Sequence, residues 1–191
     1  MSFWNWRSSG PINSGGSALA TPTTDLAPIE LYTADTRVVG WIATSGQRVT
    51  DLLEEHDLLR LWRPNPGPTD ESAPKAGQRV AEPAEGSGDW QSLVTEQVVL
   101  VMPPEWRVNR QLRLHRRLRR VAVSVGPFRL TGNVHLAPGT EPEGVLYRRR
   151  FLPLTDVHLL HDGEPAFEHV VSVVIVNTAH VTSLVPLISL A

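Results

Sequence analysis

A chain of 191 residues with 41% hydrophobic side chains has apolar material for one ordinary domain or two small ones. Its longest apolar stretches are strand-length, short of the roughly 20 residues a membrane-spanning helix needs. Cysteine is absent, which excludes disulfides, thiol catalysis and thiolate-bound zinc and fits a reducing cytoplasm. The net charge of −2 conceals three blocks: residues 1–106 carry 7 basic and 14 acidic side chains, 107–150 carry 11 arginines against Glu141 and Glu143, and 151–191 carry 4 acids and no Lys or Arg. Segregation of this kind bears on partners more than the total does.

The opening MSFWNWRSSG has no charged start followed by an apolar block, so no secretory signal is expected. Residues 1–27 are rich in Ser, Gly, Pro and Thr without apolar period and read as a disordered tail. A first β unit is expected over 28–106. In it TRVVGWIA (36–43) is a strand with Gly40 inside, the mark of a bend or a close backbone approach. Val49, Leu52 and Leu53 recur at helical spacing, with Thr50 or Asp51 as the cap. Leu58–Trp62 returns to strand character. Residues 64–89 are Pro, Gly, Ser, Ala and acids, a disordered insertion. Gln91–Met102 resumes as one strand, stopped by Pro103 and Pro104.

Residues 107–120 form an Arg-rich connector, and 121–191 a second β unit. Val121, Val123 and Val125 alternate up to a Gly126-Pro127 turn. FRLTGNVHL (128–136) aligns with TRVVGWIA, Gly132 on Gly40. A Pro-Gly-rich loop covers 137–144, FLPLTDVHLL (151–160) is a strand turning at His161–Gly163, and VVSVVIVNTAHVTSLVPL (170–187) is a strand, a reversal at Asn177–His180 and a second strand. VVLVMPPEW (98–106) echoes it faintly, with Met102 on Asn177. The chain therefore reads as a degenerate tandem duplication, all-β, with a short helical turn.

Short strands whose last two are joined by one tight turn, carried by VVIVNTAHVTSL and FRLTGNVHL, resemble the small Sm/SH3-like barrels. FLPLTDV (151–157) with VNTAHV (176–181) is similar to a layout of uncharacterised bacterial domains. The resemblance covers about 65 residues and implies a fold of two tandem small barrel-like units, without an activity.

No nucleophile elbow, phosphate-binding loop or dinucleotide fingerprint occurs. Asn177 and Asp156 read as turn formers. His158 and His161, three apart in a strand, point to opposite faces, so no metal site is expected. No catalytic residue and no cofactor is expected either. The strongest surface feature is Arg107, Arg110, Arg113, Arg116, Arg117, Arg119 and Arg120, extended by Arg148, Arg149 and Arg150. These arginines either pair with the acids of the first unit or meet phosphates in a salt-dependent way. Few aromatics accompany them, Trp106 and Tyr147 only, which weakens a single-strand nucleic-acid reading. The expectation is a non-enzymatic interaction or scaffolding module of unknown protein partner, or of itself as a homodimer through strand edges such as Val170–Val176. Nucleic-acid binding is the alternative, and no membrane association is expected.

Overall fold

The computed structural model describes residues 26–64, 88–103 and 117–187. They form ten strands, β1 (Leu26–Tyr32), β2 (Arg37–Ala43), β3 (Leu58–Pro64), β4 (Gly88–Val94), β5 (Leu100–Met102), β6 (Arg117–Val125), β7 (Phe128–Leu136), β8 (Phe151–His161), β9 (Glu164–Asn177) and β10 (Val181–Pro186). Helix α1 (Val49–Glu55) lies between β2 and β3, and α2 (Pro142–Leu146) between β7 and β8. One-turn 3-10 helices at Thr95–Gln97 and Thr178–His180 precede β5 and β10.

Every pairing is antiparallel. The sheet is one continuous, open layer in the order β10-β6-β7-β8-β9-β5-β1-β2-β3-β4. The two expected units share this one sheet: β9 of the second half hydrogen-bonds to β5 of the first, with Leu100 opposite Val176 and Val101 opposite Ile175. Numbered within each half, the order is fifth, first, second, third, fourth on both sides of that junction.

The strand pattern explains the two kinds of apolar sequence. In β7 Phe128, Leu130, Gly132, Val134 and Leu136 are buried, while the residues alternating with them are partly or fully exposed, as a sheet with one wet face requires. Where β5 and β9 pair, neither strand has a wet face. Leu100 and Met102 join one core, built mainly by the second half, while Val101 joins the other, built mainly by the first. On β9, Val174 and Val176 enter the first of these cores and Ile175 the second. Double-sided burial is why VVLVM and VVIV are unbroken apolar runs.

Gly40 on β2 and Gly132 on β7 mark the close approaches read from the sequence. A Cβ on Gly40 would stand 2.9 Å from the Trp62 carbonyl oxygen, and one on Gly132 3.3 Å from that of Thr155 and 3.0 Å from Val157 Cγ2. Asp156, the bend former, takes φ 51° beside the register shift opposite Gly132. Only glycine, asparagine and aspartate enter this backbone region readily.

Several boundaries differ from the sequence reading. Gln91–Met102 is not one strand: the turn Thr95–Gln97 divides it, because Thr95 is buried with its hydroxyl donating to the His56 carbonyl at 2.7 Å. Strand β4 starts at Gly88, inside the expected insertion. Of the expected connector, Arg117–Arg120 belong to β6, paired with Leu136, His135, Val134 and Asn133. Arg48, not Thr50 or Asp51, stands at the N-cap of α1, and no side chain caps it. The loop expected at 137–144 contains the start of α2, with Pro142 in the first turn, where the missing N–H costs nothing. Asn177 ends β9 directly before its turn, as Val94 ends β4 before Thr95–Gln97, so Val94 rather than Met102 holds the corresponding place. The expected tail and insertion otherwise lie outside the described residues, as do 104–116.

Candidate interaction site

The contact between the halves is built from chemically distinct pieces. The Glu54 carboxylate, at the end of α1, accepts the backbone N–H groups of Phe151 at 3.0 Å and Arg150 at 3.2 Å. The Arg150 guanidinium returns to Asp57 at 3.0 Å. Phe151 itself is 1% exposed and packs into the core of the first half. Across the β8–β9 pair from Phe151, the Asn177 side chain donates to the carbonyls of Val98 at 2.8 Å and Glu96 at 3.3 Å, and accepts from Ala179 N–H at 3.0 Å. Asn177 is thus a turn residue, as its sequence context suggested, and also the clamp between the halves. His180 Nε2 adds a contact to the Glu96 carbonyl at 2.8 Å.

Beside this junction lies a cleft of about 620 Å³, lined by Leu146, Tyr147, Arg150, Asn177, Thr178 and Val181 together with Glu96 and Ala179. Tyr147 is 90% exposed at its rim. Thr178 closes its floor by donating its hydroxyl to the Arg149 carbonyl at 2.7 Å.

Among the described residues the sheet ends in two unpaired edges, β10 and β4. Both carry exposed apolar side chains, Val185 on β10 and Trp90 and Val94 on β4, and Leu187 and Leu58 are exposed close by. Trp90 ends a row: Trp41 opposes Trp62, and Trp62 opposes Trp90, so residues on one face run from the buried Trp41 to the exposed edge. The Arg60 guanidinium lies 5.2 Å from the Trp90 ring centre. Nothing in the single-letter pattern marked this row, because the three tryptophans are far apart in sequence and meet only through register.

The arginines divide. Arg107, Arg110, Arg113 and Arg116 lie outside the described residues. Arg117, Arg119 and Arg120 are exposed on β6, and Arg120 donates to the Asp156 carbonyl at 3.2 Å. Arg148, Arg149 and Arg150 follow α2 and are exposed. Of these, Arg150 pairs with an acid of the first half as one expectation had it; among the described residues Arg117, Arg119, Arg148 and Arg149 make no ion pair. The expected dimer edge at Val170–Val176 is corrected: Val174, Ile175 and Val176 are buried against β5 and both cores, and Val170 alone stays largely exposed.

The histidines do not assemble into a site. His158 Nε2 pairs with Glu168 at 2.6 Å, and His161 lies edge-on to Phe128. Among the described residues no group of three or more His, Asp or Glu is placed to hold a metal ion, and no helix is long and apolar enough to cross a membrane. No family model matches the sequence, and no curated protein or solved structure matches it.

Proposed function

We propose that the chain is a degenerate tandem duplication of a small Sm/SH3-like barrel unit, working as a non-enzymatic interaction or scaffolding module through the open ends of its sheet. Four observations support the duplication. The strand order repeats, and a short helix separates the second and third strands of each half. The second strand of each half holds a glycine beside a third-strand carbonyl. The two 3-10 turns share their backbone path: φ/ψ of −70°/122° and −73°/124° flank Thr95–Gln97, and −74°/118° and −73°/119° flank Thr178–His180.

The observation that carries the interaction reading is the cleft beside the β9–β5 junction, whose lining mixes Leu146, Tyr147 and Val181 with Glu96, Arg150, Asn177 and Thr178. A cleft of mixed polar and apolar lining beside a sheet edge suits a polypeptide: main-chain bonds from the edge give affinity and the cleft takes a side chain. The test is a photo-reactive side chain placed at Ala179, beside the cleft, in the living cell. Cross-links to polypeptide support the reading. Cross-links to nucleic acid, or none to any macromolecule, overturn it.

A second reading is favoured by Tyr147, exposed beside Arg148 and Arg149, which make no ion pair among the described residues. An exposed ring followed by exposed cations suits single-stranded nucleic acid. Titration of labelled RNA and DNA at two salt concentrations separates the readings, since each phosphate neutralised steepens the log–log salt slope by about 0.7 for a single strand.

A further inference from the structure

We infer that the cleft and the adjoining β10 edge receive residues 3–7 of the same chain, FWNWR, carried there by the linker of residues 8–25. This occupant rests on the polypeptide reading of the cleft proposed above and gives it an identity in the isolated chain. A partner segment then enters the cleft by displacing it.

The stretch before β1 has two parts of opposite composition. Phe3, Trp4 and Trp6 are its only aromatic residues, and Arg7 is its only charge before Asp25. Residues 8–25, SSGPINSGGSALATPTTD, are mostly Ser, Gly, Thr and Ala. A segment of that composition builds no core of its own, so the two indoles find apolar cover only outside it. The other stretches beyond the described residues offer nothing similar: 65–87 and 188–191 hold no aromatic residue, and 104–116 hold Trp106 alone.

The receiving surface suits this pair. Trp4 and Trp6 are two apart, so in an extended strand both side chains leave the same face. Strand β10 supplies the edge for such a strand: it pairs with β6 on one side and is unpaired on the other among the described residues. Its first residue, Val181, lines the cleft together with Leu146, and these give the indoles apolar walls. Thr178, whose hydroxyl donates to the Arg149 carbonyl, keeps its oxygen lone pairs to accept an indole N–H. Tyr147 at the rim is 90% exposed and offers a ring for edge-on contact. Pro186 lacks an N–H and ends β10, which confines an added strand to Val181–Val185, a stretch as long as residues 3–7.

Reach and charge agree. Leu26 and Tyr32 are the two ends of β1, separated by about 20 Å of strand. Tyr32 is level with Leu100 and Leu100 with Val176, two strand spacings or about 10 Å further on, and the next residue, Asn177, lines the cleft. A Ser/Gly-rich linker as long as 8–25 has an end-to-end distance of about 21–25 Å. Tethered binding is strongest where that distance matches the span. Glu96 lines the cleft, is exposed and makes no ion pair among the described residues. Arg7 therefore lies toward Glu96 and away from Arg148 and Arg149, which fixes the direction of the added strand.

Two experiments on the purified full-length chain test this. A photo-reactive side chain at Ala179, beside the cleft, is expected to cross-link to residues 3–7 of its own molecule with a yield independent of protein concentration. Trp4→Ser together with Trp6→Ser is expected to remove that cross-link. A labelled peptide SFWNWR is then expected to bind the doubly substituted chain about tenfold or more tightly than the intact chain, because the tethered copy competes at a high effective concentration. Three results overturn the inference: no cross-link to residues 3–7, a cross-link found only between isotopically distinct chains, or peptide binding that is absent or equal in the two chains. Failure here is separable from failure of the cleft reading. Cross-links in the cell to another protein, with none to residues 3–7, keep the polypeptide reading and remove this occupant, whereas cross-links to nucleic acid remove both.

Discussion

Phe151 and Leu58 stand at the same point of the two halves, each the first residue of a third strand opposite the last residue of a fourth. One is 1% exposed and the other 58%. The difference does not come from the side chains, both of which are large and apolar. It comes from what lies beyond the strand: for Phe151 the α1–β5 surface of the first half, for Leu58 open solvent. The comparison teaches that burial in this molecule is set by position in the order of halves, and that a residue type suited to a core can persist where no core covers it. Scattered exposed hydrophobics need no explanation of their own.

The comparison is sharpest in stability. Replacing Phe151 with alanine removes a ring from a filled site, and losses of about 3–5 kcal/mol are expected for such a change. Leu58→Ala removes no comparable contact, and an effect within about 0.5 kcal/mol is expected for an exposed site. Urea denaturation of the two variants measures both. Equal losses would break the comparison, because they would mean that Leu58 is covered within a single chain.

A smaller difference separates Asn177 from Val94. Asn177→Val leaves the Val98 and Glu96 carbonyls without their side-chain donor, at a cost of about 1–3 kcal/mol for buried groups. Val94→Asn has no such carbonyls to meet among the described residues and should be close to neutral. Amide exchange supplies a second readout: Asn177→Val should speed exchange at the Asn177 N–H, which bonds Val99 across the junction, while the β6–β7 hairpin keeps its protection. Loss of protection throughout the sheet would show that the clamp serves global folding instead of the junction.

Much of the fold was legible in the sequence because its signals are local. Alternation marked β6 and β7, Gly126-Pro127 marked their turn, and the period of Val49, Leu52 and Leu53 marked α1. The glycines of β2 and β7 marked two close approaches, since a nearby carbonyl of the next strand leaves little choice of residue. Failures came where a local signal had two physical causes. The run from Gln91 to Met102 is apolar enough for one strand, and only the burial of Thr95 against the His56 carbonyl reveals the turn. The apolar run of β9 was read as an exposed edge, whereas it is apolar because β5 and two cores cover it. The candidate site was less legible still. The arginines were visible as composition, but the cleft, the tryptophan row and the Glu54 carboxylate on the Arg150 and Phe151 amides depend on pairings between residues distant in the chain. Glu54 in particular has the sequence setting of an ordinary charge in the last turn of a short helix.

The least of the expected effects concerns Tyr32, a residue of the first half that packs in the core of the second. Its ring meets Phe128 and Phe167 edge-on, and its hydroxyl donates to Glu30, which also pairs with Arg37 at 2.5 Å. Burial first, and then the bond to the negative Glu30, hold the phenol well above its ordinary value of 10.0. The unfolded chain therefore gives up this proton near pH 10 while the native chain keeps it. Above that pH the native state binds more protons, so stability must fall as pH rises, and below it the contribution is complete. Tyr32→Phe removes the titrating group and should lose stability less steeply above pH 10 than the intact chain, although it is less stable at neutral pH for want of the Glu30 bond. Parallel alkaline slopes would mean that the phenol reaches solvent, and with it that the hinge between the two cores at Tyr32 is looser than its packing against both phenylalanines requires.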